Sequence, residues 1–330
     1  MRRREFISVL GGAAVAWPLG VRAQQAQEMR RVGALLVSGA NDPEAKVWIR
    51  AFQEELQRLG WEQGRNIQIE YRLAGSDEHR LRTGAAELVG MRPDVLFTAG
   101  TPALVALSQE TRSLPIVFVQ VADPIKLGLI TSLARPGGNI TGFVTVEHTF
   151  VGKWLELLKD IAPGRNRVAA ILDPDNPSSQ LLYFRGIEDA APSLGMHLTR
   201  ADVRNADDIE RVMNAFAQQP NGAFVVIPTA VTILHRDLII ALAARHRLPA
   251  IYPYRIFAVS GGLISYGVDL SESYRQAASY VGRILKGAKP GDLPVQLASK
   301  FELVVNLKTA KALGLAIPEP FLQHADEIIE

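Results

Sequence analysis

Two strand-then-helix units follow one another between Asp94 and Gly142, in DVLFTAGTPALVALSQETRSLPIVFVQVADPIKLGLITSLARPGGNITG. Asp94–Thr98 is a short, bounded apolar run, the mark of a strand buried on both faces. Gly100 turns the chain, Thr101 is placed to cap a helix, and Pro102 takes the first helical position, where a missing N–H costs nothing. The pattern recurs: Ile116–Val119 is a second strand, and Asp123-Pro124 is expected to open a second helix. Parallel strands joined this way bring Thr101 and Asp123 to one carboxyl edge. Open α/β sheets bind ligands at that edge, where helix N-termini offer free N–H groups to anions.

The same alternation runs through the rest of the chain. Arg31–Val37 reads as a first strand, with Ser38, Asn41 and Asp42 in the loop behind it and Pro43 starting a helix. Asn66–Tyr71 and Asp77–Val89 are the next strand and helix, and Ile140–Val144 is a strand leaving the first half. The pattern then restarts with Arg167–Leu172, the loop to Asn176, and a helix from Pro177 to about Ala191. His197–Ala201, Gly222–Ile227, Pro249–Tyr252, Gly262–Tyr266 and Phe301–Val305 are further strands, and Ala316–Glu330 is expected to be a surface tail. This order predicts an α/β fold of two doubly wound parallel-sheet lobes joined by hinge crossings. One lobe spans 30–144 plus about 267–294, the other 145–266 plus about 295–330. Crossings are expected near Phe143–Thr145, Tyr266–Asp269 and Leu293–Gln296.

Residues 1–23 read as an export leader. Arg2, Arg3 and Arg4 precede an apolar run, and Val21-Arg22-Ala23 resembles a small-residue cleavage site. Arg3-Arg4-Glu5-Phe6-Ile7 further resembles the twin-arginine type. Taking away the leader's four arginines and one glutamate moves the formal charge from +2 to −1 and leaves 307 of the 330 residues, enough for two domains. A nearly neutral product without a basic, aromatic-studded stripe does not point to nucleic acid. The chain has no cysteine, so disulfides, thiolate catalysis and cysteine metal sites are excluded. No second apolar stretch is long enough to span a bilayer, and a periplasmic product is expected. No Walker sequence, Gly-x-Gly-x-x-Gly turn, nucleophile elbow or metal-type histidine spacing is present, so neither a cofactor nor a metal is expected.

A capping residue followed by proline stands behind a strand at Asp42-Pro43, Thr101-Pro102, Asp123-Pro124 and Asn176-Pro177. Each can be a helix start and nothing more. Together they place Ser38, Asn41, Asp42, Gly100, Thr101 and Asp123 on one wall of a cleft and Asn176 and Thr229 on the other. Tyr254 and Tyr266 sit at strand ends where a ring can pack or can meet a ligand. Trp48 and Trp154 lie at helical spacings typical of core.

The segments RRREFISVLGGAAVAWPLGVRAQQ, AGTPALVAL, PIVFVQVADPIKLGLITSLARPGGNITG, GGLISYGVDLSESYRQAA and LGLAIPEPFLQHADEIIE resemble the ABC-transporter substrate-binding family whose best-known members bind tryptophan and tyrosine. The resemblance covers nearly the whole chain. It implies a type I periplasmic binding-protein fold, a small organic ligand enclosed between two lobes, and permease and ATPase partners encoded elsewhere. A monomer is expected. The resemblance places contacts in the loop Ser38–Asp42, at Thr101 and Asp123, and near Asn176, Thr229 and Tyr254, with Tyr266 near a crossing. The leading ligand class is an aromatic or branched amino acid or a related aromatic acid. Thr101 and Thr229 would take a carboxylate, and Asp123 or Asp42 an ammonium. The rival readings are an α/β enzyme acting in the same cleft and a receptor that signals rather than transports.

Overall fold

The computed structural model describes residues 29–330 except 40, 41, 76, 122, 146, 147, 177 and 178. The leader, Asn41 and Pro177 therefore lie outside the described residues. In the first half the chain runs β1 (Arg30–Leu36), α1 (Pro43–Arg58), β2 (Ile67–Leu73), α2 (Glu78–Gly90), β3 (Val95–Ala99), α3 (Thr101–Glu110), β4 (Ile116–Val121) and β5 (Ile140–Val144). It continues through α4 (His148–Ile161), β6 (Arg167–Leu172), α5 (Arg185–Ala190), β7 (His197–Asp202), α6 (Ala206–Phe216), β8 (Gly222–Val226), α7 (Ala230–Leu234), α8 (Arg236–Arg245), β9 (Ala250–Tyr252), α9 (Arg255–Val259) and β10 (Ile264–Val268). α10 (Leu270–Leu285), β11 (Gln296–Leu297), β12 (Phe301–Asn306), α11 (Leu307–Leu313), α12 (Glu319–Leu322) and β13 (Glu327–Ile329) complete it.

Two sheets result. The first is parallel, in the order β11-β5-β4-β3-β1-β2, and the second is β13-β12-β10-β9-β8-β6-β7, with β10 and β12 its antiparallel pair. Every residue of β3, β5 and β8 is buried, as strands covered by helices on both faces require. The chain changes sheet three times: between β5 and β6, between β10 and β11, and between β11 and β12. α10 returns to the first sheet, packing Tyr274 edge-on against Phe97 of β3 at 5.3 Å between ring centroids. Residues 296–297 pair with Phe143 and Val144 of the first sheet, so the last return falls after Leu297, slightly later than expected. Trp48 and Trp154 are both buried core residues.

Three local expectations are corrected. Asp123-Pro124 opens no helix: 124–128 is a run of turns, and glycines with positive φ, Gly128 at 68° and Gly137 at 77°, keep the segment irregular. The helix expected from Pro177 is divided. Ser179–Phe184 forms a π-helical turn, α5 follows, and a 3₁₀ turn over Ala191–Leu194 carries Pro192. The tail is not a mere surface extension, because β13 adds to the second sheet in parallel beside β12.

Two glycines are required by close backbone approach. A Cβ on Gly142 would stand 2.2 Å from the Phe118 carbonyl oxygen, where the β4–β5 register shifts between Phe118 and Val121. A Cβ on Gly267 would stand 1.7 Å from the carbonyl oxygen of Pro253. Backbone cannot yield as a flexible side chain can. Gly142→Ala is expected to cost about 1–3 kcal/mol of unfolding free energy by forced overpacking, read as a lowered urea midpoint; an unchanged midpoint would show that the β4–β5 contact is not as tight as described.

Candidate ligand-binding cleft

The carboxyl edges of the two sheets face each other, and the cavity between them measures about 50 Å³. The first lobe supplies Val37 from the end of β1, Gly100, Thr101 and Pro102 from the β3–α3 turn, and Gln120 from β4; Thr145 stands at the first change of sheet. The second lobe supplies Asn176, Tyr183, Thr229, Ala230, Ile233 and Tyr254. Each wall follows from local chemistry. Gly100 takes φ 98°, which lets the strand turn directly into α3. No side chain caps that helix, so N–H groups of its first turn are left for solvent or a ligand. Thr229 caps α7 reciprocally with Thr232: its hydroxyl accepts from the Thr232 N–H at 3.1 Å, and its own N–H donates to the Thr232 hydroxyl at 2.9 Å. Thr229 thus presents itself in a fixed orientation.

Sequence reasoning missed three contributors. Gln120 interrupts an apolar strand with φ 57°, a left-handed conformation costly for a residue with a Cβ. It lies within the register shift between Phe118, the partner of Gly142, and Val121, and it joins the cavity lining. Tyr183 comes from the π-helical turn, stacks on Trp154 with centroids 5.9 Å apart, and is fully buried. Burial pushes its phenol pKa well above the usual range, against a smaller opposing pull from its hydrogen bond with Thr145. The third is Arg236, at the start of α8.

Arg236 meets Asp42 across the lobe boundary, with Nη1–Oδ2 at 3.3 Å and Nη2–Oδ1 at 3.5 Å. Their side chains are only 14% and 9% exposed. Arg236 Nη1 also donates to the carbonyl of Ile233, a cavity residue, at 3.2 Å. Asp42 meanwhile caps α1, accepting from the Glu44 N–H at 3.1 Å. Its oxygens are thus already engaged twice.

Of the other expected residues, Gly100, Thr101, Asn176, Thr229 and Tyr254 line this cavity together. Ser38 is buried beside Val37 but outside the lining. Asp123 is also outside it. Its Oδ1 accepts from the Lys126 N–H at 3.0 Å and its Oδ2 lies 3.5 Å from Lys126 Nζ, so it organises the turn that replaced the expected helix. Tyr266 is corrected more sharply. Its side chain lines a groove on the second lobe with Phe301, Leu303 and Phe321, and its carbonyl accepts from Trp154 Nε1 at 2.7 Å. Its ring packs against the second lobe's own apolar cluster and is no part of the cavity lining.

Tyr254 also borders a second cavity between the lobes, of about 420 Å³, lined among others by Glu44, Trp48, Arg255, Asp269, Lys300 and Glu302. Burial, helped by the negative charges of Asp269 and Glu327, pushes the Glu302 pKa up to about 7. Glu44 is raised as well, chiefly by burial.

A family model described as ABC transporter substrate binding protein matches residues 40–329. The tyrosine-binding protein of Clostridioides difficile (strain R20291) is 25% identical over 267 residues, covering 81% of this chain and 76% of that protein. A crystal structure of a conserved domain protein from Vibrio cholerae superimposes with TM-score 0.85 at 27% identity, covering 91% of this chain and all of that one. An ABC domain from Streptococcus pneumoniae, in complex with L-Trp, superimposes with TM-score 0.84 at 24% identity, covering 92% and 100%.

Two outcomes are expected from this geometry. Asp42→Asn keeps the helix cap but removes the buried counter-charge of the Arg236 guanidinium, leaving it only the exposed Asp237 carboxylate at 3.7 Å, so it should shift the protein toward a more open form by small-angle scattering. Asp42→Asn with Arg236→Met should recover compactness, since removing both charges costs less than stranding one; equal profiles for single and double variants would contradict a desolvated pair. The second outcome concerns pH. Glu302 holds its proton more tightly folded, at about 7, than at its ordinary value of 4.5. Its ionisation penalty is absent below the lower value and complete above the higher, so stability should fall as pH rises from 5 to 8. Urea midpoints should show a shallower fall in Glu302→Gln; parallel slopes would refute the assignment.

Proposed function

Because the chain belongs to the ABC transporter substrate-binding protein family, we propose that it is the extracytoplasmic receptor of an importer, exported to the periplasm by its leader through the twin-arginine route. It has the type I periplasmic binding-protein fold. It acts as a monomer that closes two lobes on one small organic solute and hands it to a permease driven by an ATPase. The lobes are 30–144 with 269–297, and 148–268 with 301–330. The observation that carries this reading is the cavity at the facing carboxyl edges, walled by both lobes at once. A solute touching both walls favours the closed form by its differential contacts, whereas one touching a single lobe equally in both forms shifts nothing.

The solute is an aromatic or branched amino acid or a related aromatic acid. The first turn of α3, with Thr101, receives a carboxylate, and Thr229 faces it from the other lobe. Gln120 and Asn176 add adaptable hydrogen bonds, and the ring of Tyr254 gives apolar contact. The tyrosine and tryptophan ligands of the two relatives agree with this class. Asp123 and Tyr266 have no part in it.

A thermal-shift and calorimetric panel of aromatic and branched amino acids, with their aryl and alkyl acid analogues, tests the assignment. At least one should stabilise the protein without being chemically changed. Thr101→Ala and Gln120→Ala should each weaken it tenfold or more, about 1.4 kcal/mol, while Asp123→Ala leaves affinity unaltered. Product formation, or a panel without a single binder, would overturn the receptor reading.

A further inference from the structure

Resting on the receptor reading, we propose that Gln120 is the residue that sets which charge the solute carries. Its neutral amide reads an oxygen next to the solute's carboxylate, so the cleft selects an aromatic or branched α-oxo or α-hydroxy acid over the amino acid of the same skeleton.

Among the described residues, left-handed backbone outside glycine occurs at Arg92, Gln120, Asn221 and Arg247. Arg92, Asn221 and Arg247 stand in loops that join a helix to the next strand, where that conformation is ordinary. Gln120 lies inside a strand, β4, at φ 57°. Glycine adopts such a backbone freely, whereas a Cβ makes it costly. Strain of this kind persists where the surrounding structure enforces it, and it gathers at functional sites. The half-buried side chain of Gln120 lines the cavity, and its amide forms no hydrogen bond with a described residue. The folded chain thus holds a strained residue in the cleft and makes no use of its polar end.

Its place in the sheet decides what it can meet. Val119 pairs with Ala99, and the Gly100 N–H donates to the Val119 carbonyl at 3.1 Å. Gln120 is the next residue, so it stands beside the turn that starts α3, where the receptor reading puts the solute's carboxylate. The substituent on the adjoining carbon of the solute falls to Gln120. An oxygen suits that position better than an ammonium. α3 is ten residues long and has no side-chain cap, so its N-terminus carries partial positive charge that favours the carboxylate and opposes a cation. The two acids that the sequence offered for an ammonium are engaged, Asp42 with Arg236 and the α1 cap, Asp123 with Lys126. The polar side chains of the cavity lining, among the described residues, are hydroxyls and amides. An amide can donate to a keto oxygen or exchange hydrogen bonds with a hydroxyl. It cannot neutralise an ammonium taken out of water, and that burial is costly. The solute would then differ in charge from the tyrosine and L-Trp of the two relatives.

The test is calorimetry, with urea midpoints, on wild type, Gln120→Glu, Gln120→Ala and Gln120→Gly. One set of probes is phenylpyruvate, phenyllactate and L-phenylalanine; the other is α-ketoisocaproate, α-hydroxyisocaproate and L-leucine. Wild type is expected to bind an oxo or hydroxy acid at least tenfold more tightly than the matching amino acid. Gln120→Glu keeps the shape and adds a negative charge, so it should reverse that order. Gln120→Ala and Gln120→Gly should both bind tenfold or more weakly, and the glycine variant should have the higher urea midpoint, because both lack the amide and only alanine keeps the strain. An amino acid held by wild type as tightly as its oxo and hydroxy counterparts, or an order unchanged in Gln120→Glu, overturns the selection and leaves the receptor reading standing. A glycine midpoint no higher than that of alanine shows an unstrained backbone and overturns the assignment to Gln120. Silence from every probe on wild type counts against the receptor reading and removes the selection with it.

Discussion

The facing of two carboxyl edges is the constraint on which the molecule depends. Each lobe alone presents helix N-termini, strand-end hydroxyls and a few rings to water. Pressed together, they share one apolar cluster that includes Trp48, Phe97 and Tyr274 of the first lobe and Tyr254, Phe224 and Phe257 of the second. Polar groups caught in that contact lose water and gain value only if something pairs with them. Thr229 finds Thr232, Asp42 finds Arg236, and Tyr183 finds Thr145. The Tyr274 hydroxyl finds nothing among the described residues.

On the receptor reading proposed above, this incomplete pairing would give closure its chemistry. A buried ion pair contributes little net attraction, because desolvation offsets the Coulomb gain. Asp42–Arg236 therefore fixes the arrangement of the two lobes more than it drives them together. The Tyr274 hydroxyl, also buried and unpartnered, sits near Asp42 and Tyr254. An interface holding such groups is a poor resting state by itself and a good one once a solute completes it. On the proposed reading, the hinge falls at the three changes of sheet, where hydrogen bonds are local: Thr145 N–H to Val121 at 3.2 Å, Asp269 N–H to Lys300 at 3.0 Å, and Ala298 N–H to Val144 at 2.9 Å. A few such residues can absorb a hinge rotation while both sheets stay rigid.

Close backbone contacts set the walls. The Phe118–Gly142 approach accompanies the register shift within which Gln120 joins the lining, and the Pro253–Gly267 approach seats the segment leading into Tyr254. In both places a missing Cβ far along the chain positions a polar side chain in the cleft. The shape of the cavity thus rests in part on residues that do not line it.

Burial periodicity, turn residues and caps are local properties, so the chain by itself determined the α/β class, nearly every strand, and which loops lie at the carboxyl edges. Gly100, Thr101, Asn176, Thr229 and Tyr254 were legible for that reason. Which side chain of each loop reaches the cavity was decided only in the tertiary structure. Asp123 served its own turn because no helix followed it, and Tyr266 was taken up by the second lobe's apolar cluster. Arg236 and Asp42 stand 194 residues apart, and no local pattern announces their meeting. That pairing exists only because the edges of two sheets, built from distant parts of the chain, come to rest against each other.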